Sequence, residues 1–62
     1  MNVEHQRIVE LMSDNRERTI DDMIRALRIE KGVVKSALGK LNTAEILVKD
    51  RIHGYTIWRI AQ

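Results

Sequence analysis

The sequence predicts a small α+β fold in which three helices are followed by a two-stranded β-hairpin. Apolar residues recur at helical spacing in three stretches before residue 43, and no proline interrupts them. The last stretch, ILVKDRIHGYTIWRI at 46–60, is rich in β-branched and aromatic residues around a central His-Gly pair. With 62 residues, the chain is expected to form one domain over 1–62 with a thin core.

Each of the first two helices is predicted from a capping residue that is followed by apolar residues at helical spacing. In 3–15 the stripe contains Ile8, Leu11 and Met12, and Asn2 is placed to cap the helix. The second helix begins after Thr19, because Thr19 with Asp22 three residues later resembles a capping box. Its buried stripe is predicted to be Ile20, Met23, Ile24 and Leu27.

The third helix is predicted from about residue 31 to residue 42, after a turn at 28–29. Its core side is defined by residues at i, i+3, i+4 and i+7, namely Val34, Ala37, Leu38 and Leu41. At about 100° per residue, the opposite side carries small residues, Gly32, Ser36 and Gly39, flanked by Lys31, Lys35 and Lys40.

This arrangement of glycines and lysines suggests a binding face. A glycine inside a helix costs about 1 kcal/mol relative to alanine, and large polar side chains are usual on a merely solvated face. A ridge of small side chains bordered by ammonium groups favours close approach of the helix to an anionic partner, such as the major groove of DNA. In the alternative interpretation, Gly39 only softens the helix and Gly32 belongs to its frayed first turn.

The charge distribution is uneven along the chain. Residues 1–24 carry three basic and six acidic side chains, giving −3, and residues 25–62 carry eight basic and three acidic ones, giving +5. Basic charge gathered on one part of a small domain indicates a polyanion partner, although an ordinary solvated surface is the alternative.

Several function classes are predicted to be absent. Cysteine is missing, which excludes disulfides and thiolate zinc sites and fits a cytoplasmic location. The N-terminal residues resemble neither a signal peptide nor a membrane span. No phosphate loop, catalytic triad or metal-ligand spacing is visible, so we expect no enzyme, cofactor, metal or small-molecule substrate.

Pairing Ile52 with Tyr55 across the His53-Gly54 turn sorts the hairpin into two faces. The strand residues that are expected to face the helices, which we call the inner alternation, are Leu47, Lys49, Arg51, Thr56, Trp58 and Ile60. Its apolar members are expected to pack on the helices, and its basic members, together with His53, to lie near phosphate. The outer alternation carries the apolar residues Val48, Ile52, Tyr55 and Ile57. A patch of this kind suggests a homodimer or a protein partner.

Residues 19–48, TIDDMIRALRIEKGVVKSALGKLNTAEILV, resemble a bacterial winged helix-turn-helix. The positions that carry the pattern are Thr19, Leu27, Ile29, Val34, Leu38, Leu41, Ile46 and Val48. Arg28 and Glu45 stand at turns where this family usually has glycine. The resemblance implies that the third helix is a recognition helix and that the hairpin, as the wing, contacts phosphate or the minor groove.

A weaker likeness is to Z-DNA-binding winged domains, whose ending is similar to Trp58-Arg59-Ile60. Lys35 and Gly39 stand where those domains use asparagine and tyrosine.

The sequence therefore predicts a double-stranded DNA-binding transcriptional regulator. The third helix would lie in the major groove and the hairpin on the backbone. The predicted DNA contacts are Arg28, Lys31, Gly32, Lys35, Ser36, Gly39, Lys40, Arg51 and His53. The competing hypothesis is a protein-interaction adaptor that uses the outer face of the hairpin.

Overall fold

A computed structural model describes residues 2–61. The elements in chain order are α1 (Val3–Met12), α2 (Ile20–Leu27), α3 (Lys31–Thr43), β1 (Leu47–Ile52) and β2 (Tyr55–Ile60). The predicted α+β class, with three helices and then an antiparallel hairpin, is confirmed. This order is compatible with a winged-helix layout. The third helix ends at Thr43, one residue beyond the expected end.

The caps that were predicted for the first two helices are present. Asn2 accepts a hydrogen bond from the His5 amide at 3.0 Å. The Asp22 amide donates to the Thr19 hydroxyl at 3.2 Å, and the Thr19 amide donates to the Asp22 carboxylate at 3.1 Å. These two bonds form the predicted capping box, so they satisfy backbone donors that the first turn leaves without helical partners. Glu30 precedes α3 without a side-chain cap.

The core lies where the three helices meet the base of the hairpin. The predicted stripe of α3 is buried, and the remaining fully buried residues come from α1, α2 and β1: Ile8, Met12, Met23 and Leu47. Arg7 on α1 also donates from its guanidinium to the Leu27 carbonyl at 2.9 Å. This bond satisfies a carbonyl at the end of α2 and joins the two helices.

Within residues 2–61, four residues other than glycine adopt the left-handed conformation at turns. They are Asn15, Arg28, Glu45 and His53, with φ between 51° and 62°. This conformation is costly for a residue with a Cβ, so glycine is usually preferred there. The turn that follows α2 and the turn that follows α3 therefore have the backbone geometry of a glycine turn without the glycine.

The hairpin register matches the predicted register. Ile52 pairs with Tyr55 and Leu47 pairs with Ile60, with His53 and Gly54 in the turn. Leu47 is buried and Trp58 and Ile60 pack against the core, which confirms the predicted inner side. One isolated antiparallel bridge joins Arg18 to Trp58, so β2 is also attached to the loop between α1 and α2. No helix within residues 2–61 is long and apolar enough to cross a membrane.

Candidate functional site

The first candidate surface is the exposed side of α3, which we call the α3 face. Burying the Val34, Ala37, Leu38 and Leu41 stripe turns the opposite side of the helix to solvent. All of the residues predicted for this side are exposed: Lys31, Gly32, Lys35, Ser36, Gly39 and Lys40. The fold therefore presents three small residues and three ammonium groups on a single helix.

No internal contact of the described chain requires the two glycines of α3. A Cβ atom added to Gly32 or to Gly39 would meet no neighbouring atom within 4 Å. Both residues lie within a regular helix, and only Gly54 among the glycines has a positive φ. Neither close packing nor backbone conformation explains these two glycines.

A groove of about 300 Å³ separates α3 from the hairpin, and we call it the α3–hairpin groove. Lys35, Leu38 and Gly39 line it from α3, and Ile20 lines it from α2. The hairpin contributes three residues of its inner alternation, Lys49, Thr56 and Trp58. The groove thus combines two ammonium groups, a hydroxyl and the side of an indole.

Trp58 supports Lys49 within this groove. The Lys49 Nζ lies 5.8 Å from the centroid of the Trp58 ring, within the range of a cation–π interaction. Trp58 is half-buried and packs against the core, so its ring is a fixed platform. The ring favours a position of the Lys49 ammonium above the indole, in the groove that Lys35 lines from the helix.

Lys49 was expected to lie near phosphate, whereas Thr56 and Trp58 were not among the predicted contact residues. The signal for them was present in the sequence, since the strand alternation already placed all three on the inner face. On the other flank of α3, Asn2 and His5 of the first helical turn border the α3 face, together with the acidic Glu4. Chain position alone could not reveal that neighbourhood, because it depends on how α1 packs on α3.

Three predicted residues lie outside both the α3 face and the α3–hairpin groove. Arg28 is exposed at the turn between α2 and α3, in its left-handed conformation. Arg51 and His53 are exposed near the tip of the hairpin, where Arg51 donates to the Gly54 carbonyl at 3.4 Å. None of the three lines the groove. They would extend a binding surface at its edges.

Three aspartates are engaged with arginines rather than with the lysines. Hydrogen bonds from Arg18 and from the Arg16 amide hold the pKa of Asp14 well below its usual range. The Thr19 amide and Arg25 lower the pKa of Asp22, with the amide contributing more. In the part of the chain that is described, none of the ion pairs involves Lys31, Lys35, Lys40 or Lys49, whereas Asp14, Asp22 and Asp50 each pair with an arginine.

No group of three His, Asp or Glu side chains within residues 2–61 is placed to hold a metal ion. Comparisons with known proteins gave no match, whether to a protein-family model, to a curated protein or to a solved structure.

Proposed function

We propose that this protein binds double-stranded DNA as a transcriptional regulator, with α3 in the major groove and the inner side of the hairpin on the adjacent backbone. The observation that carries the proposal is the α3 face. Gly32, Ser36 and Gly39 are exposed, nothing in the described chain packs on the two glycines, and lysines without ion-pair partners border them.

The dimensions of α3 suit this role. A helix of 13 residues is about 20 Å long, and the major groove of B-DNA, about 12 Å wide, admits one helix. Small residues on the ridge would allow the helix backbone to approach the base edges closely. Lys31 and Lys40, near the two ends of α3, would reach phosphates, while Lys35 near its centre would reach base edges.

The α3–hairpin groove would hold the neighbouring part of the DNA backbone. A phosphate in the groove would lie beside Lys49 and could accept a hydrogen bond from the Thr56 hydroxyl. Arg28, Arg51 and His53 would contact phosphates at the edges of the footprint. Contacts of this type position a protein on DNA without reading its sequence.

A second candidate function is that of a protein-binding adaptor, and one observation favours it. Ile52 and Tyr55 form a cross-strand pair at the tip of the hairpin, and they are 42% and 69% exposed. Two large apolar residues side by side on a strand pair are more than a solvated hairpin requires. An adaptor of this kind would use the outer face of the hairpin and would not depend on α3.

The deciding experiment is fluorescence anisotropy of a labelled random duplex at ~50 mM and ~200 mM salt. Release of counterions predicts binding that weakens steeply between the two conditions. Lys35→Glu should remove binding. Arg16→Glu is the matched control, because it makes the same charge change at an exposed residue of the loop between α1 and α2.

The Arg16→Glu control distinguishes the loss of a specific binding face from a general effect of net charge. If the two variants lose affinity equally, α3 is not the interface. Absence of binding at tens of micromolar protein at both salt concentrations would contradict the DNA proposal altogether. An adaptor would retain its protein partner in Lys35→Glu, and circular dichroism of both variants would verify that the fold is unchanged.

A further inference from the structure

The outer alternation of the hairpin forms a second surface that the DNA proposal does not use. We call it the outer hairpin face. It consists of Val48, Asp50, Ile52, Tyr55, Ile57 and Arg59. Ile52 and Tyr55 are exposed, while Val48 and Ile57 are half-buried and are not among the residues that pack on the core. Four of its six side chains are therefore apolar, and none of the four is among the residues that pack on the core.

The outer hairpin face points away from α3. Lys49, Thr56 and Trp58 of the inner alternation line the α3–hairpin groove, and successive side chains of a strand project to opposite sides. A partner on the outer face would consequently leave the α3 face open to solvent.

The charges on the outer face identify the kind of partner that fits. Asp50 accepts a hydrogen bond from the Arg59 guanidinium at 3.0 Å, diagonally across the two strands. One acid and one base are therefore the only charged groups among these six residues, and they sum to zero. Such a face offers no net charge to attract a strongly basic or acidic partner. A second copy related by a twofold axis gains electrostatic attraction from this face, because each Asp50 can approach the other copy's Arg59.

We propose that the outer hairpin face is the interface of a twofold-symmetric homodimer of this chain. Strands of six residues are about 20 Å long, and two strands are about 10 Å wide, so the footprint is on the order of 200 Å² per chain. Stable interfaces bury about 800 Å² per partner. The dimer is therefore weak. Both α3 faces stay exposed in it.

Sedimentation velocity without DNA tests this proposal independently of the DNA proposal. From ~10 µM to ~1 mM protein, the average mass should rise towards twice that of the single chain. The double variant Ile52→Thr with Tyr55→Thr should weaken association at least roughly tenfold, while its β-branched threonines preserve the strands. Val3→Thr, at a 68% exposed residue of α1, is the matched control and should associate as the unmodified chain does.

Charge exchange tests the twofold arrangement itself. Asp50→Arg and Arg59→Asp should each suppress self-association, since each gives the face two like charges. An equimolar mixture of the two variants should restore it. A mixture that remains monomeric overturns the pairing of Asp50 with the other copy's Arg59.

Two further results would overturn the dimer. One is a constant single-chain mass up to ~1 mM, even if the face binds a different protein. The other is self-association that the Ile52 and Tyr55 substitutions leave unchanged. Concentration-dependent NMR shifts of backbone amides should locate the contact on the hairpin, and shifts confined to the helices would also overturn it.

Discussion

The backbones of Arg18 and Trp58 exchange two hydrogen bonds. The Arg18 amide donates to the Trp58 carbonyl at 3.0 Å, and the Trp58 amide donates to the Arg18 carbonyl at 2.7 Å. The bridge fastens β2 to the loop that precedes α2, at the same residue whose indole lies beneath the Lys49 ammonium. The distance between hairpin and helix in the α3–hairpin groove therefore depends on how firmly the Arg18 segment is held.

Arg18→Ala should destabilise the fold. The Arg18 guanidinium donates to the Leu11 carbonyl at 3.0 Å and to both oxygens of Asp14, and its side chain is only 17% exposed. Loss of the bond to the carbonyl alone should lower the free energy of unfolding by about 1 kcal/mol. Urea denaturation followed by circular dichroism measures this change. Arg16→Ala, at an exposed neighbour, should leave stability within about 0.5 kcal/mol, and equal values for both variants would contradict the role of Arg18.

Stability should decrease at acid pH because of Asp14 and Asp22. Their pKa values in the folded state are lowered, through the bonds from Arg18 and from the Thr19 amide respectively. The unfolded state then binds protons more readily, so the stabilisation is present above about pH 4 and is lost as the pH falls below it. Urea denaturation between pH 7 and pH 2 should show this loss. In Asp14→Asn the decrease should be shallower, and an unaltered pH dependence would rule out Asp14 as a contributor.

Substitution of Gly39 should affect stability and DNA binding in opposite directions. Gly39→Ala should raise the free energy of unfolding by about 0.5–1 kcal/mol, because α3 is regular there and a Cβ meets no neighbour. Gly39→Gln should also fold, but it should bind the duplex more weakly, because its long side chain would hold α3 away from the bases. Ala26→Gln, on the exposed side of α2, is the control. Undiminished DNA affinity in Gly39→Gln would mean that the glycine ridge does not enter the groove.

Arg28→Gly and Glu45→Gly form a matched pair of turn substitutions. Both residues are left-handed, with φ of 55° and 61°, so glycine should raise stability by about 0.5–1 kcal/mol in each case. Only Arg28→Gly removes a proposed phosphate contact. It should lower DNA affinity and reduce the dependence on salt, whereas Glu45→Gly should not weaken binding. Equal DNA affinities in the two variants would place Arg28 outside the interface.

Local sequence signals predicted most of the elements. The capping box at Thr19 and Asp22, the apolar stripe of α3 and the pairing of Ile52 with Tyr55 all depend on residues close together in the chain. The left-handed conformations of Arg28 and Glu45 were harder to predict from the sequence. Glycine usually marks such a turn, and neither position has a glycine.

By itself, the sequence determined the α+β order, the hairpin register and the side of α3 that carries the glycines and lysines. It could do so because helical and strand periodicities assign each side chain to one face of its element. Only the tertiary structure decided that Lys49 and Lys35 share one groove, that Trp58 supports Lys49, and that Arg18 holds Trp58 in place. The physical reason is that periodicity acts over a few residues, whereas these contacts depend on how the hairpin packs against α2 and α3.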